Sequence, residues 1–525
     1  MKNIIKGALL LLLAGGVAAC NLNKYPSNAI PADEGFTTFK DAKEFRNSIY
    51  YMGRSSMTDI ISANMQCEGI NATLDYGNSY GEQYAWTFTD TDSTVDNIWT
   101  NDNGNISQIN YFLEQCETLI ANDANLSESD PDKMSAQDLK DLNLYIGEAH
   151  FFRALLRRHL VMYYCKDYEP TTADTDWGII LNDTYNIAQR LPRATMAKTY
   201  EAINTDLDLA RTAIEGYYGG GDPAEKYYLG STAVKCLTAY VQLDMHQYPE
   251  AAATAASIAD ASKYALITDA TSFASMWKNN EGSELIFQFF ASLDEGSVQY
   301  GSPFLYDPFG DPDHSTSLKP QYVPAQYMID QYSNNGNDAW VDIRPSAYFT
   351  TRTCRIGTAS VNLKLLNKYP GNPNYNATAG LNSLANNVPL YRSADFVLLA
   401  AEAYYRDGDE VNANKYLQKL REARIHANSS SAPEYTYTPY SGEELFSEIK
   451  MERLKEMFME SNRMADLKRW GDPMSRLGWT PQDESVCVTI GMYLNINAND
   501  YRFVWPIPQS EYTNNSAIKD QLNWK

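Results

Sequence analysis

The sequence predicts a mainly α-helical protein built from helix pairs, with a loop-rich irregular part and short β-hairpins. Apolar residues recur every three to four positions over three long stretches, residues 95–122, 136–164 and 195–215. Hydrophobic residues make up 44% of the chain and charged residues 21%, as in an ordinary globular protein. At 525 residues the chain exceeds the usual size of one hydrophobic core. We therefore expect one large globule or two interlocked domains.

Two further stretches have the pattern of helical hairpins of one design. The first runs from Ala239 to Ile258, and the second runs from Ala401 through Gly408 to Leu420. Each has a helix, a short turn and a second helix with small residues near its start, which lets two helices approach closely. The pattern resembles a degenerate tetratricopeptide repeat. Because the two copies lie far apart in the chain, they can pack together only in the folded protein.

Long loops are predicted between the helical stretches. Residues 294–332 and 333–388 are rich in Gly, Pro, Asn, Ser and Tyr, and a strand pair is expected within them near Thr351–Leu365. Irregular segments of this length in a compact protein usually carry function.

The N-terminus has the features of an export signal. Lys2 and Lys6 precede an apolar run over residues 9–13, which is too short to span a bilayer. Val17-Ala18-Ala19-Cys20 resembles the bacterial lipobox, so we predict a signal peptide over 1–19, lipidation of Cys20 and a tether over 20–34. The alternative is ordinary secretion with a cysteine there by chance.

Charge and cysteine usage exclude several classes of function. A net charge of −23 repels nucleic acid, so we exclude it as a partner, and we expect the lipid anchor to be the membrane contact. The six cysteines after Cys20 are widely spread without a CxxC pair, and only five histidines are present, so zinc is not expected. We predict small buried side chains for several of these cysteines, no metal and no cofactor.

Two local motifs resemble functional sites but lack parts that those sites require. Gly77–Gly81 matches G-x-S-x-G, but the apolar strand and following helix that a nucleophile elbow requires are missing. Asp90, Asp92 and Asp96 have the even spacing of a calcium loop without its Gly and closing Glu. A cap for the helix that begins near residue 95 is the better interpretation of these aspartates.

From about Leu144 onward the residues resemble the SusD/RagB family of surface lipoproteins. The most specific match is the run Glu452-Arg453, Glu456, Glu460, Arg463, Asp466-Leu467 and Arg469-Trp470, with Ser461 where the family has Gly. Further matching segments are Gly147–Ala154, Arg193–Ala210, Phe273–Phe287, Arg392–Ala403 and Trp505–Glu511.

This resemblance implies a fold of tetratricopeptide-like helix pairs, divided into an N-terminal helical part over 35–290 and an interlocked C-terminal part over 291–525. It implies a surface-exposed, lipid-anchored protein of the outer membrane. Such a protein captures a nutrient, usually an oligosaccharide, and acts as the lid of a TonB-dependent transporter of the SusC/RagA type. It is not an enzyme.

The charged residues of the best-matching run suggest a structural role. Arg453 with Glu456, and Glu460 with Arg463, have opposite charges at i, i+3 spacing, which favours ion pairs on one helix. We expect these pairs to fix that helix against the C-terminal segment.

Candidate ligand-binding residues combine flat aromatic faces with polar groups, which suits a saccharide. Two predicted loops carry them; the residues are Asn71, Asp75, Tyr76, Tyr80 and Trp86 in the first loop, and Tyr300, Tyr306 and Phe309 in the second. The alternative is that these aromatics pack their own loops.

Three other functions stay open at this point. Features near Gly178–Leu181 and the ending Gln521–Trp524 resemble the RagB branch, which binds peptides through backbone hydrogen bonds. A helical glycoside-processing enzyme would need a pair of acids in a cleft, and nothing in the sequence singles one out. A purely structural surface protein would bind no small ligand.

Overall fold

The computed structural model describes residues 35–57, 68–74, 81–291, 318–333, 337–375, 385–460, 463–476, 486–488 and 495–524. Within these ranges the protein is mainly helical, as the sequence predicts. The helices are α1 (Phe39–Met57), α2 (Gly81–Ala85), α3 (Ser93–Ala124), α4 (Ala136–Tyr164), α5 (Met196–Tyr218), α6 (Ser231–Asp244), α7 (Tyr248–Ala259), α8 (Ala270–Asn279), α9 (Gln326–Asp330), α10 (Arg344–Tyr348), α11 (Ser393–Arg406), α12 (Glu410–Arg424), α13 (Gly442–Glu456), α14 (Arg463–Trp470) and α15 (Gln509–Asn514).

The described strands are short and pair antiparallel, two by two. They are β1 (Ile70–Ala72), β2 (Trp177–Ile180), β3 (Arg193–Thr195), β4 (Leu285–Phe289), β5 (Tyr322–Pro324), β6 (Trp340–Asp342), β7 (Phe349–Ile356), β8 (Ala359–Leu366), β9 (Val388–Arg392), β10 (Ile425–Ala427), β11 (Met474–Ser475) and β12 (Asn495–Ile496). The pairs are β1–β5, β2–β3, β4–β9, β6–β10, β7–β8 and β11–β12. Several pairs join segments far apart in sequence, so they fasten loops to the helical body.

The three long helices predicted from periodicity are confirmed as α3, α4 and α5. Capping explains where they begin and end. The Asp92 carboxylate accepts a hydrogen bond from the Thr94 amide at 2.9 Å, which confirms a cap among the three aspartates. Ser135 and Asp138 form a capping box at the start of α4. The helix α5 ends at Gly219, whose φ of +63° suits glycine.

The two predicted hairpins are confirmed as α6–α7 and α11–α12, and they pack together. The helix α7 lies directly against α11, although their sequences are far apart. Both helices contain fully buried alanines, among them Ala251 and Ala255 in α7 and Ala400 and Ala403 in α11. Side chains this small let the helix axes come close, as in helical repeat proteins.

The prediction of long irregular loops is partly wrong. Residues 318–375 contain β5, α9, β6, α10, β7 and β8 in their described part, and the expected strand pair is confirmed as β7–β8. Three-residue strands and five-residue helices are too short to show a periodic hydrophobic pattern, so sequence alone missed them.

A buried ionic network joins segments that lie far apart in the chain, and Glu456 lies at its centre. Its carboxylate is 2.6 Å from Arg392, 2.8 Å from Arg424 and 3.0 Å from Arg344. The side chains of these four residues are at most 1% exposed. Glu284, just before β4, joins the same cluster through Arg392 and Arg424. The network therefore ties β4, α10, β9, α12 and α13 together.

The ion pairs expected within one helix are wrong. Arg453 binds Asp395 and Asp466 instead of Glu456, at 2.8 Å each. Glu460 binds Lys368 and Arg392. Arg463 lies in the next helix, α14, and pairs with Glu68 at 2.7 Å. Because α13 is buried on several sides, its charged residues face different neighbours, and long-range partners replace the local ones.

A smaller network joins α4 to α5. Asp206 accepts hydrogen bonds from His150, Arg153 and Arg157 at 2.6–3.2 Å. Burial raises the pKa of the Asp206 carboxyl, but the bonds from His150 and Arg153 and the charges of both arginines outweigh this and lower it to about 2. Asp206 is therefore an ionised anchor between the two helices.

The cysteines that the structure describes are buried. Cys116, Cys165, Cys236, Cys354 and Cys487 are buried free thiols, which confirms the packing interpretation for these five; Cys67 lies outside the described residues. Among the helices that the structure describes, none has the length and hydrophobicity needed to cross a membrane. The division of the chain into an N-terminal part that ends at residue 290 and a C-terminal part that begins at residue 291 stays a prediction.

We expect Glu456→Gln to lower the free energy of unfolding by about 3 kcal/mol or more, because it leaves three buried guanidinium groups without their shared counter-charge. Burial raises the pKa of Glu456, but Arg424, Arg392 and Arg344 hold it well below 4.5. The stabilisation is therefore present above about pH 4.5 and is lost as the pH falls. Urea unfolding at neutral and acidic pH measures both effects.

The matched control is Glu443→Gln, an exposed residue of the same helix. We expect it to change stability by less than about 0.5 kcal/mol. Equal effects of the two substitutions at neutral pH would contradict the central role of Glu456.

Candidate ligand-binding site

An open groove of about 400 Å³ lies in the part of the chain that the structure describes. Its lining is aromatic, with one amide and one guanidinium group. The lining residues are Asn47, Tyr50, Tyr51, Arg54, Tyr227, Tyr228, Phe289 and Phe290. Flat apolar faces next to a few polar groups are typical of sites for small ligands.

Three segments meet to form this groove. The helix α1 contributes four residues at i, i+3, i+4 and i+7 from Asn47, which places them on one face. The end of β4 contributes the Phe289–Phe290 pair. The connection between α5 and α6 contributes the Tyr227–Tyr228 pair. The groove exists only because these segments are packed together.

One wall of the groove is held by a buried carboxylate. The Tyr50 hydroxyl donates to Glu148 Oε1 at 2.7 Å and accepts the Leu229 amide at 3.0 Å. Arg46 donates two hydrogen bonds to the same carboxylate, and its guanidinium lies 4.7 Å from the Tyr228 ring centre. Burial and the Glu148 charge raise the pKa of Tyr50 well above 10, so its hydroxyl stays a neutral donor.

A second part of the lining is held by Arg54. Its Nη1 donates to the Phe290 carbonyl at 2.5 Å, and its guanidinium stacks 5.2 Å from the Tyr51 ring centre. The Phe290 ring in turn contacts Tyr227 at 5.2 Å. Tyr51 is 57% exposed and Phe290 is 42% exposed. Tyr51 and Phe290 therefore present ring faces to solvent, and the contacts of Arg54 hold both residues in place.

Most of the ligand residues predicted from sequence lie outside the described residues: Asp75, Tyr76, Tyr80, Tyr300, Tyr306 and Phe309. Asn71 lies in β1, where it pairs with Val323 and is buried. Trp86 is 1% exposed and contacts the rings of Phe88 and Phe503. This placement of Trp86 agrees with the alternative that such aromatics pack their own loops.

The groove is linked to the second predicted loop through the chain. Phe290 lines the groove, and the segment that contains Tyr300, Tyr306 and Phe309 begins two residues later. The assignment of those three residues as ligand contacts stays a prediction. Phe290 of the groove lining is close in sequence to the segment that carries them.

Sequence reasoning missed all eight residues of the groove. A helical wheel of α1 would have placed Asn47, Tyr51 and Arg54 on one face, and the Tyr227–Tyr228 doublet was visible. Tyrosines on a helix face usually pack in the core, however, so this signal did not distinguish a groove from buried packing. Only the juxtaposition of three distant segments reveals the site.

The lining of the groove limits its chemistry. None of its eight described lining residues is Asp, Glu, His, Cys or Ser, so this lining offers no acid pair and no nucleophile activated by a base. No group of three His, Cys, Asp or Glu side chains suited to a metal ion occurs among the described residues. The arrangement is suited to binding.

A second cavity, of about 70 Å³, lies among the buried ion pairs. Its walls include Arg392, Arg453, Asp395 and Asp466, which bind one another or other network residues. We regard this cavity as part of the architecture.

Comparison with known families gives two matches along the chain. A family model described as the SusD family matches residues 349–524. A second model, described as starch-binding associating with outer membrane, matches residues 41–219. The two segments together span more than half of the chain. They contain Arg392, Arg424 and Glu456 of the ionic network and the four groove residues that α1 contributes. No curated protein matches the chain in sequence.

The chain is also similar to solved structures over most of its length. A SusD superfamily protein from Bacteroides thetaiotaomicron gives a TM-score of 0.73 at 21% identity, covering 93% of this chain and 100% of that chain. A putative sugar binding protein from Bacteroides vulgatus gives 0.69 at 18% identity, covering 92% and 98%. A SusD-like carbohydrate binding protein from the same organism gives 0.70 at 17%, also covering 92% and 98%. These likenesses show the fold.

The burial of Trp86 leads to a direct test of its role. We expect Trp86→Ala to destabilise the protein by about 3–5 kcal/mol, because it empties a fully buried site against Phe88 and Phe503. Trp177→Ala is the matched control, since this residue is 42% exposed and should change stability by less than about 1 kcal/mol. Denaturant unfolding measures both. A wild-type stability for Trp86→Ala would return Trp86 to the list of ligand contacts.

Proposed function

This chain belongs to the SusD family, and we propose that it is a non-catalytic carbohydrate-binding protein that acts at the outer membrane. The observation that carries the proposal is the aromatic groove formed by α1, the end of β4 and the α5–α6 connection. The name of the matching N-terminal family model, starch-binding associating with outer membrane, supports both the ligand class and the location.

Sugar chemistry explains why the groove suits a saccharide. A sugar ring has apolar C–H faces that stack on aromatic side chains, and hydroxyl groups that need hydrogen-bond partners. Tyr51 and Phe290 offer exposed ring faces, while Asn47 and the tyrosine hydroxyls offer polar contacts. Because Arg54 and Glu148 hold the walls in place, a ligand would meet a largely preformed surface with little ordering cost.

The proposal includes a transporter partner. The resemblance to the family implies that a protein of this fold acts as the lid of a TonB-dependent transporter of the SusC/RagA type. We propose that the bound oligosaccharide is delivered to that transporter. The helix pairs α6–α7 and α11–α12 pack together in a repeat-like arrangement, which many proteins use for partner contacts. We propose a lipid anchor at Cys20, which lies outside the described residues, as the link to the membrane.

Native mass spectrometry with competing pools of glycans and peptides tests the ligand class. Retention of an oligosaccharide supports the proposal. Retention of a peptide instead would favour the RagB-like alternative, and turnover of a bound glycan by the pure protein would establish an enzyme.

We expect Tyr51→Ala and Phe290→Ala each to weaken binding of the retained oligosaccharide about tenfold, because each removes an exposed stacking face worth about 1–2 kcal/mol. Isothermal titration calorimetry measures the change. Tyr501→Ala is a matched control, since Tyr501 is 62% exposed but lies outside the groove lining. Unchanged affinity in both groove variants would remove the groove from the proposal.

We expect Cys20→Ala to release the protein from the membrane fraction, because the acyl chains attached to this cysteine would be the anchor. Cell fractionation and immunoblotting measure the distribution. Cys67→Ala is the control and should leave it unchanged. Retention of the Cys20 variant in the outer-membrane fraction would contradict the anchor.

A further inference from the structure

A partly exposed tyrosine, Tyr375, lies near the groove but is not one of its eight lining residues. It is the last residue of the short 3₁₀ turn Pro373–Tyr375. Two observations place it on the side of the groove that Phe290 and Tyr227 form. One is a shared hydrogen-bond acceptor, and the other is the electrostatic effect of Tyr227 on Tyr375.

The shared acceptor is the side chain of Asn387, which is 4% exposed. Its Oδ1 accepts a hydrogen bond from the Tyr375 hydroxyl at 2.9 Å and another from the Ala291 amide, also at 2.9 Å. Ala291 directly follows Phe290 of the groove lining. One buried oxygen atom therefore holds the hydroxyl of Tyr375 and the backbone next to Phe290.

Tyr227 is a neighbour of both aromatic residues. Its ring contacts the Phe290 ring at a centre-to-centre distance of 5.2 Å. Burial raises the pKa of Tyr375, the hydrogen bond to Asn387 lowers it, and the nearby Tyr227 raises it further. Since such an effect requires proximity, Phe290, Tyr227 and Tyr375 form a sequence of neighbouring aromatic side chains that leads out of the groove.

Buried amide groups fix the turn that carries Tyr375. The Tyr375 amide donates to the Asn372 carbonyl at 2.9 Å, and the Asn372 side chain donates to Asn280 Oδ1 at 3.1 Å. Asn280 Oδ1 also accepts the Asn387 amide at 3.2 Å. These three asparagines are at most 6% exposed. A buried network with this many hydrogen bonds is rigid, so Tyr375 has a fixed position before any ligand binds.

The Tyr228 side of the groove is packed differently. The Arg46 guanidinium lies 4.7 Å from the ring centres of both Tyr228 and Tyr145, and it donates two hydrogen bonds to Glu148. One face of the Tyr228 ring is covered in this way. This favours continuation of the ligand surface on the side of Phe290, Tyr227 and Tyr375.

We infer that Tyr375 is a second stacking face for the saccharide held in the groove, so that a ligand long enough to reach it binds more tightly than a short one. This inference rests on the proposed carbohydrate-binding function and deepens it. A sugar ring in the groove would stack on Tyr51 or Phe290, and a later ring of the same chain would stack on Tyr375. Because Tyr375 is already fixed, this second contact costs little ordering.

The test measures binding of two-unit and six-unit members of the malto-, xylo- and β-1,4-manno-oligosaccharide series by isothermal titration calorimetry, with the full chain in detergent. Tyr375→Ala removes the ring, and Tyr375→Leu removes the flat face but keeps most of the bulk. In the series that the wild type binds most tightly, we expect both variants to lose about tenfold in affinity for the six-unit probe. Affinity for the two-unit probe should change by less than about twofold.

Two further variants isolate the ring as the cause. Tyr375→Phe keeps the ring and loses only the hydroxyl, so it should weaken six-unit binding by less than about threefold. Tyr435→Ala is the matched control, since Tyr435 is a partly exposed tyrosine in the α12–α13 connection, outside the groove lining. It should bind all probes as the wild type does. Thermal unfolding of every variant checks that the fold is kept.

The other outcomes separate this inference from the proposed function. Unchanged six-unit binding in both Tyr375→Ala and Tyr375→Leu would overturn the second stacking face and leave the proposed function in place. Equal losses for the two-unit and six-unit probes would also overturn it, because Tyr375 would then only support the groove. A loss in Tyr375→Phe as large as in Tyr375→Ala would show that the hydroxyl matters and the ring does not, which overturns it as well. If no probe binds the wild type, the inference and the proposed function are both overturned.

Discussion

The ionic cluster around Glu456 constrains how distant segments of the chain pack together. Its carboxylate is shared by Arg344, Arg392 and Arg424, which come from α10, β9 and α12. Glu284 adds the segment that precedes β4. A cluster this deeply buried requires every partner to be in place, since an unmatched charge in the interior costs several kcal/mol. It therefore specifies one packing of these segments.

The strand β4 connects the ionic cluster to the groove. Glu284 lies one residue before this strand, and Phe289 and Phe290 follow at its other end. The strand is also paired with β9, whose last residue is Arg392 of the cluster. The ion pairs of Glu284 and the pairing of β4 with β9 therefore fix the positions of Phe289 and Phe290. Arg54 and Arg46 then complete the walls from α1, so that exposed aromatic rings rest on a rigid support.

The groove combines aromatic stacking faces with neutral polar groups, and its described lining includes a single charged side chain, Arg54. The Glu148 carboxylate behind Tyr50 is buried and receives two hydrogen bonds from Arg46, so its charge is balanced within the protein. A chain with a net charge of −23 thus presents aromatic faces without an acidic side chain in this lining, while its general negative charge keeps the protein soluble.

The amino-acid sequence alone was enough to predict the long helices α3, α4 and α5 and the paired design of α6–α7 and α11–α12, because amphipathic periodicity and capping are local signals and these elements are long. The resemblance to the family came from motifs such as the run Glu452–Trp470. It did not determine the partners of Arg453 and Glu460, since burial on several sides replaces neighbours in the chain by distant ones. It also did not find the groove. Asn47, Tyr228 and Phe290 are far apart in sequence and share no local pattern, and Trp86 looked like a ligand face until its burial was seen. Such features are juxtapositions of separate segments, and only tertiary packing decides them.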